Sequence, residues 1–404
     1  MSIESSSNIP PLTSKIPYTL WNLVAYFTQL GTWGFGGPVA LVGYMHRDLV
    51  ERRGWITEAD YREGLALAQL APGPLAAQLA IYIGYVHYRI LGATLVSIAF
   101  VLPSFLMVVA LGWSYVLYGG LSWMQAVFYG VGASVIGIIA FSACKLTKKT
   151  IGKDRLLWSI YLISGGCTVV AETEFVWIFL ASGLLVWIVR IRPRFRTPLI
   201  SLVAPFDLTL SGVPIATGET LGQIFIYFTK AGAFVFGSGL AIIPFLYSGV
   251  VKEYGWLDDQ QFLDAVAVAM ITPGPVVITV GFIGFLVGGF AGAAVAAFAT
   301  FLPCYLFTVI PAPYFKKYGK RPGIIAFVDG VTAAAIGAIA GAVIVLGRRT
   351  VLGDTWEPDI FKVAIMLTTF GILSSGRKIP EPLIVLGAAI VGLIAYPLLH
   401  GPAN

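Results

Sequence analysis

The chain has 404 residues, of which 57% are hydrophobic and only 11% charged. Soluble domains carry roughly 25% charged residues, so this composition excludes a soluble enzyme and a disordered chain. The net charge of +6 does not mark a nucleic-acid binder, because the basic residues sit in short clusters between apolar runs, as in the cytoplasmic loops of membrane proteins.

The first 20 residues are polar and lack a charged region followed by an apolar one, so no cleaved signal peptide is expected. A spanning helix needs about 20 apolar residues. Candidate segments fall at roughly 20–45, 64–86, 90–117, 123–143, 156–171, 173–189, 220–249, 264–287, 289–311, 324–347, 360–374 and 382–399. The spacing predicts an extramembrane segment over 1–19, a membrane repeat over 20–190, a linker over 191–219 opened by Arg192, Arg194 and Arg196, and a second membrane repeat over 220–400.

The two halves repeat. At an offset of 201, Phe27 meets Phe228, Gly31 meets Gly232, Trp55 meets Trp256, and Pro72-Gly73-Pro74 meets Pro273-Gly274-Pro275. One deletion later the offset is 200, pairing Gly92 with Gly292 and Pro103 with Pro303. Basic residues switch between partners. Arg47, Arg52, Arg53 and Arg62 answer to Lys252 alone, and the 118–123 loop has no Lys or Arg where its mate holds Lys316, Lys317, Lys320 and Arg321. Parallel halves would keep the bias on one member, so the halves are expected to be inverted. Parity then asks one segment to turn back within the bilayer, and 64–86, cut by Pro72-Gly73-Pro74, is the choice. The expected fold is an all-α polytopic membrane protein of two inverted helical repeats, with discontinuous helices at the Pro-Gly-Pro motifs, about ten crossings, two hairpins and both termini outside.

Two motifs interrupt the helices in each repeat: Gly34-Phe35-Gly36-Gly37-Pro38, matched by Val235-Phe236-Gly237-Ser238-Gly239, and the two Pro-Gly-Pro runs. Pro removes a donor and clashes with the preceding turn, while Gly admits conformations other residues resist. Backbone amides freed at a half-helix start attract an anion, and broken helices at a repeat interface are where transporter substrates bind. The plainer alternative is kinks for tight packing; four symmetric breaks weigh against it.

Lys230 lies inside a segment and is either a functional cation or a side chain snorkelling to the interface. Glu63 and Asp264 are equivalent, each nine residues before the first Pro of the second motif; each either offsets a helix dipole or carries a coupling proton. Arg47 is either an attractor of anions or a cytoplasmic anchor. Gln69 and Gln78 flank the first hairpin as candidate donors to oxyanion oxygens, or as interhelical glue. Cys144, Cys167 and Cys304 read as apolar filling, and the scattered His46, His87 and His400 as interfacial residues, so no metal or cofactor is expected. No Walker A motif occurs: Gly152-Lys153 and Gly319-Lys320 are followed by Asp154 and Arg321. An ATP-driven pump with its own motor is excluded.

Phe35-Gly36-Gly37-Pro38, the run from Arg47 through Arg52-Arg53-Gly54-Trp55, and Gln69-Leu70-Ala71-Pro72-Gly73-Pro74 together resemble the chromate transporter family. The second half, with Trp256 and Thr272-Pro273-Gly274-Pro275, looks like the second domain of its long-chain members; Gly237-Ser238-Gly239 departs by lacking the proline of Pro38. The resemblance implies a multi-pass carrier in a prokaryotic inner membrane that exports chromate, a tetrahedral dianion like sulfate, driven by membrane potential or a proton gradient. The residues by themselves reach only an anion carrier with a pseudo-symmetric midplane site. Expected partners are the oxyanion, protons and membrane lipids, with no nucleic acid; a homodimer stays open. An oxyanion channel and a sulfate-type carrier are the alternatives, and an intramembrane enzyme, for which no catalytic pairing exists at depth, comes last.

Overall fold

The computed structural model describes residues 18–35, 37–118, 122–172, 176–191, 218–235, 239, 242–318, 321–352, 359–375, 379 and 381–400. Among them are fifteen α-helices and no strand. The first repeat holds α1 (Leu20–Trp33), α2 (Gly37–Met45), α3 (Glu58–Leu70), α4 (Leu75–Tyr118), α5 (Ser122–Thr150), α6 (Arg155–Ala171) and α7 (Val176–Ile191). The second holds α8 (Gly218–Ala233), α9 (Ile242–Tyr247), α10 (Asp259–Ile271), α11 (Thr279–Val309), α12 (Ala312–Tyr318), α13 (Pro322–Leu352), α14 (Ile360–Ser374) and α15 (Glu381–His400).

Equivalent positions build equivalent local structure. Thr57 caps α3 by accepting the Asp60 amide, and Asp258 caps α10 by accepting that of Gln261. Asp154 caps α6 and Asp359 caps α14, each accepting two first-turn amides. A π-helical turn follows α2 at His46–Arg52 and α9 at Ser248–Glu253. Each is closed by a tryptophan amide donating back, Trp55 to Leu49 O and Trp256 to Val250 O, both at 2.8 Å.

Contacts at the helix ends fix the topology. The Tyr18 ring stacks on Trp55 at 4.9 Å, and its hydroxyl meets His87 Nδ1 at 2.7 Å. Residues 18, 55 and 87 therefore share one end, so α1–α2 and α3 with the first limb of α4 are two hairpins entering from the same face. In the second repeat the Phe228 ring stacks on Trp256, and Leu221 and Ile224 lie beside Gly288, giving two further hairpins. The long helices bend back at Arg89 in α4 and at Gly288 and Gly289 in α11, where Gly84 packs on Gly92 and Gly284 on Gly292.

The second limb of α4, with α5, α6 and α7, then runs from face to face, as do the second limb of α11 and α13, α14 and α15. Among the described residues, five stretches are long and apolar enough to cross a membrane: Leu75–Tyr118, Trp123–Thr150, Val276–Phe315, Pro322–Leu352 and Glu381–Leu398. One face gathers Asp154, Arg190 and Asp329, with Arg190 bonded to both carboxylates. The other gathers Glu172 with Lys252, Arg348 and Arg349. Arg47, Arg52, Arg53, Arg62, Lys148 and Lys149 lie at the first of these, here termed the basic face. The repeats are thus inverted, each with four crossings among the described residues. Ile191 ends on the basic face and Gly218 begins on the opposite one.

This departs from the expectation of ten crossings and two hairpins. The segments 20–45 and 220–249 do not cross, because the first motif turns them back, and Tyr18 stands on the face of Trp55. A broken hairpin of two short limbs has the length of one crossing, which is why the sequence reads it as one.

Apolar helices gain little from burying apolar surface against one another in lipid, so close approach must hold them. Small residues supply it: Gly165 faces Gly337 and Gly341, and Gly130 faces Ala388 and Gly392. Large apolar side chains stay on the outside, Val170 and Leu398 among them, where lipid would cover them.

Candidate functional site

The four breaks meet. Pro72 and Pro74 cannot donate, and Gly73, at φ +141°, takes a conformation L side chains rarely adopt; Gly274 repeats this at φ +99°. The Gly73 amide donates to Val235 O at 2.5 Å, and the Gly274 amide to Gly34 O at 2.9 Å. Gly34 and Val235 are equivalent, as are Gly73 and Gly274, so each Pro-Gly-Pro turn is tied to the first motif of the other repeat. The exchange is what a two-fold axis between inverted copies requires.

Those two amides are therefore spent on carbonyls and are not free for a ligand. The first-turn amides of Leu75, Ala76 and Ala77 in α4, and of Val276 and Val277 ahead of α11, have no acceptor within their own helices. Gly239 lies against Val276 and Val277, which brings the first motif of the second repeat onto this start. Two half-helix beginnings thus point their positive ends into the same buried region.

Two residues that sequence reasoning did not place at the site press on the turns. Ser104 Oγ donates to Gly31 O at 3.2 Å and would lie 2.0 Å from a Cβ added at Gly274. Cys304, its mate at offset 200, lies with Sγ 3.2 Å from the same point on Gly73. Both follow an intrahelical proline, Pro103 and Pro303. That repeated Pro-Ser and Pro-Cys was the signal available in the sequence.

Gln78 is fully buried; its Nε2 donates to Pro72 O at 2.7 Å, and no described residue partners its Oε1. In the second repeat the same place holds Thr279, whose hydroxyl donates to Val276 O. Pro74, Pro273 and Pro275 are buried, Pro72 and Phe35 half-buried. Gly37 and Pro38 open α2, with Gly37 at φ +71° beside the Glu381 carboxylate. Gly36, Phe236, Gly237 and Ser238 lie outside the described residues.

The other candidates stand apart from this cluster. Gln69 is exposed at the end of α3, and Lys230 is exposed on α8. Arg47 is exposed on the basic face, where it pairs with Asp48 at 3.0 Å and covers the Tyr44 ring. Glu63 is half-buried and hydrogen-bonded with Tyr82. Asp264 is 3% exposed and accepts from Tyr115 and Gln260. Cys144, Cys167 and Cys304 are free thiols, and among the described residues no cluster of His, Cys, Asp or Glu has the makings of a metal site.

The sequence pattern described as chromate transporter matches twice, over residues 21–187 and 222–393, one match per repeat. The chain belongs to the chromate transporter family. It is 67% identical over 386 residues to a chromate transport protein of Cupriavidus metallidurans, covering 95% of each chain. It is 63% identical to a "probable chromate transport protein" of Synechococcus elongatus, over 94% of this chain and 96% of the relative. A chromate transport protein of Pseudomonas aeruginosa is 29% identical over 406 residues. No solved structure matches. The protein is a multi-pass membrane transport protein, not an enzyme.

Proposed function

We propose that the protein is a secondary active carrier that exports chromate, a tetrahedral dianion, across the inner membrane. The observation that carries this reading is the crossed exchange of Gly73 N–H with Val235 O and Gly274 N–H with Gly34 O, which gathers both half-helix starts at the repeat interface. Anion recognition falls to the remaining first-turn amides and to Gln78, with Ser104 and Cys304 setting the space beside the turns. Family membership, and the names of the relatives, support chromate over other oxyanions.

Burial of Gly73, Pro74, Gln78 and Pro273–Pro275 favours a carrier over an open channel, because an ion path of constant width would leave them wetted. Positive-inside bias puts the basic face in the cytoplasm. An inside-negative potential then drives a dianion outward by about 4.6 kcal/mol per 100 mV, twice the value for one charge. A proton moving inward adds to that drive, with Glu63 or Asp264 as the group that carries it.

Chromate accumulation in everted membrane vesicles tests the reading. Wild-type vesicles concentrate chromate when energised, and sulfate at equal concentration competes less well than unlabelled chromate. Gly73→Leu and Gly274→Leu each lower the rate at least tenfold without loss of protein from the membrane. Unchanged rates in both variants would remove the turns from the site, and equilibration without accumulation would make the protein a channel.

A further inference from the structure

We infer that Asp264, and not its repeat mate Glu63, binds the coupled proton, and that it is loaded through a cavity on the face opposite the basic one. The inference rests on the carrier reading above. The cavity has a volume of about 450 Å³ and lies between the end of α4, the start of α5, the first turns of α10, the start of α14 and the end of α15. Asp264 forms part of its wall.

The charged and titratable groups around Asp264 come from every one of these elements. Tyr115 on α4 donates its hydroxyl to Asp264 Oδ2 at 2.8 Å, and Gln260 on α10 donates to Oδ1 at 2.8 Å. Asp258 lies one and a half turns back at the cap of α10. On α14, Asp359 is taken up by the Tyr129 hydroxyl and by the first-turn amides it caps. Lys362 covers the Tyr129 ring at 5.0 Å, and Tyr396 on α15 bonds to Gln125. Among the described residues no Lys, Arg or His stands within ion-pair distance of Asp264.

A buried carboxylate without a cation costs several kcal/mol to keep charged, and an ionisable group at such depth is a functional site by default. Two donors favour the anion while burial opposes it. Both neighbours donate to the carboxylate, so the cavity is the side from which a proton reaches it. Three carboxylates against one lysine line this cavity, so it suits a cation entering and not a dianion resting there. The link to transport is mechanical: α10 runs from Asp264 to the Pro273 turn, nine residues or about 13 Å of helix, so a charge change at one end acts on the half-helix that ends at the substrate site. Glu63 lacks this burial: it is half-buried on α3 and hydrogen-bonded with Tyr82, while the neighbouring Arg62 pairs with Glu58.

The test is chromate flux in proteoliposomes of the full chain, measured under a pH gradient at clamped potential and under a potential at symmetrical pH. Asp264→Asn loses the response to the pH gradient, and its potential-driven flux no longer varies across the neutral range. Glu63→Gln keeps the wild-type pH response. The inference is overturned if Asp264→Asn responds to the gradient like wild type, or if Glu63→Gln is the variant that stops responding. A wild type that moves chromate under potential but ignores the pH gradient overturns it too, while the carrier reading stands; a wild type that moves no chromate fails the carrier reading. Should Asp264→Asn not reach the membrane, Tyr115→Phe decides: losing one donor to the anion raises the midpoint of the pH profile by about one unit, and an unmoved midpoint overturns the assignment.

Discussion

The two repeats share a backbone and differ in the side chains that line it. The Pro-Gly-Pro turns, the π-helical turns, the caps at Thr57 and Asp258 and the tryptophan closures are common to both. Around the turns the copies diverge: Gln78 against Thr279, Ser104 against Cys304, half-buried Glu63 against buried Asp264. Duplication preserved what the fold needs to break and rejoin its helices. The unmatched positions are where chemistry has specialised, because a site on a two-fold axis can be lined differently from each side without disturbing the frame.

If the frame is shared, equivalent packing positions must fail equally. A Cβ on Gly31 would stand 2.3 Å from Phe100 O, and one on Gly232 2.1 Å from Thr300 O. Both neighbours are backbone and cannot turn aside. Gly31→Val and Gly232→Val are expected to produce the largest losses, of about 3 kcal/mol or more, read as a collapse of folded protein in detergent. A tolerant member of the pair would break the equivalence.

The bends of α4 and α11 differ in the opposite sense. Arg89 sits at φ 51°, ψ −140° and Gly289 at φ 60°, ψ −151°, a region held almost only by glycine that costs other residues about 1–3 kcal/mol. Arg89→Gly is expected to raise stability by about 1 kcal/mol and Gly289→Ala to lower it by about 1–2 kcal/mol, measured as shifts in thermal unfolding of the purified protein. Equal responses would mean that the Arg89 contact with Tyr85 offsets the strain.

Much of this frame was legible in the sequence, since a constant offset between Trp55 and Trp256, and between the Pro-Gly-Pro runs, needs no structure to be seen. The re-entrant character of 64–86 followed from counting charges. The same argument missed the hairpin at Gly34–Pro38, because removing that crossing moves only the N-terminal end and leaves every later loop on its face, and it missed the mate because it took residues 191 and 218 to share a face. The site was legible in part. Both motifs are visible as breaks, but pairing between Gly73 and Val235 belongs to the contact of two repeats, and no local pattern encodes it. Cys304 reads as filler until the opposite half is folded against it.

The ion clusters at the two faces make the mildest comparison. Arg190 joins Asp154 and Asp329 on the basic face, and its hydrogen bond holds the Asp154 carboxyl below the usual carboxylate range. A carboxyl depressed by folding adds stability above its unfolded pKa and gives it up as pH falls through the folded value. All three side chains are about one third exposed, so screening limits the effect to about 1 kcal/mol at neutral pH. Arg190→Ala is therefore expected to lower the unfolding temperature at neutral pH by a few degrees and to narrow its difference from wild type under acid conditions. On the other face Glu172 keeps three cations, Lys252, Arg348 and Arg349. Loss of Arg348 alone leaves two of them in place, and Arg348→Ala should move the melting curve less than Arg190→Ala does. The reverse order would place the stronger clamp on the face of the Asp264 cavity.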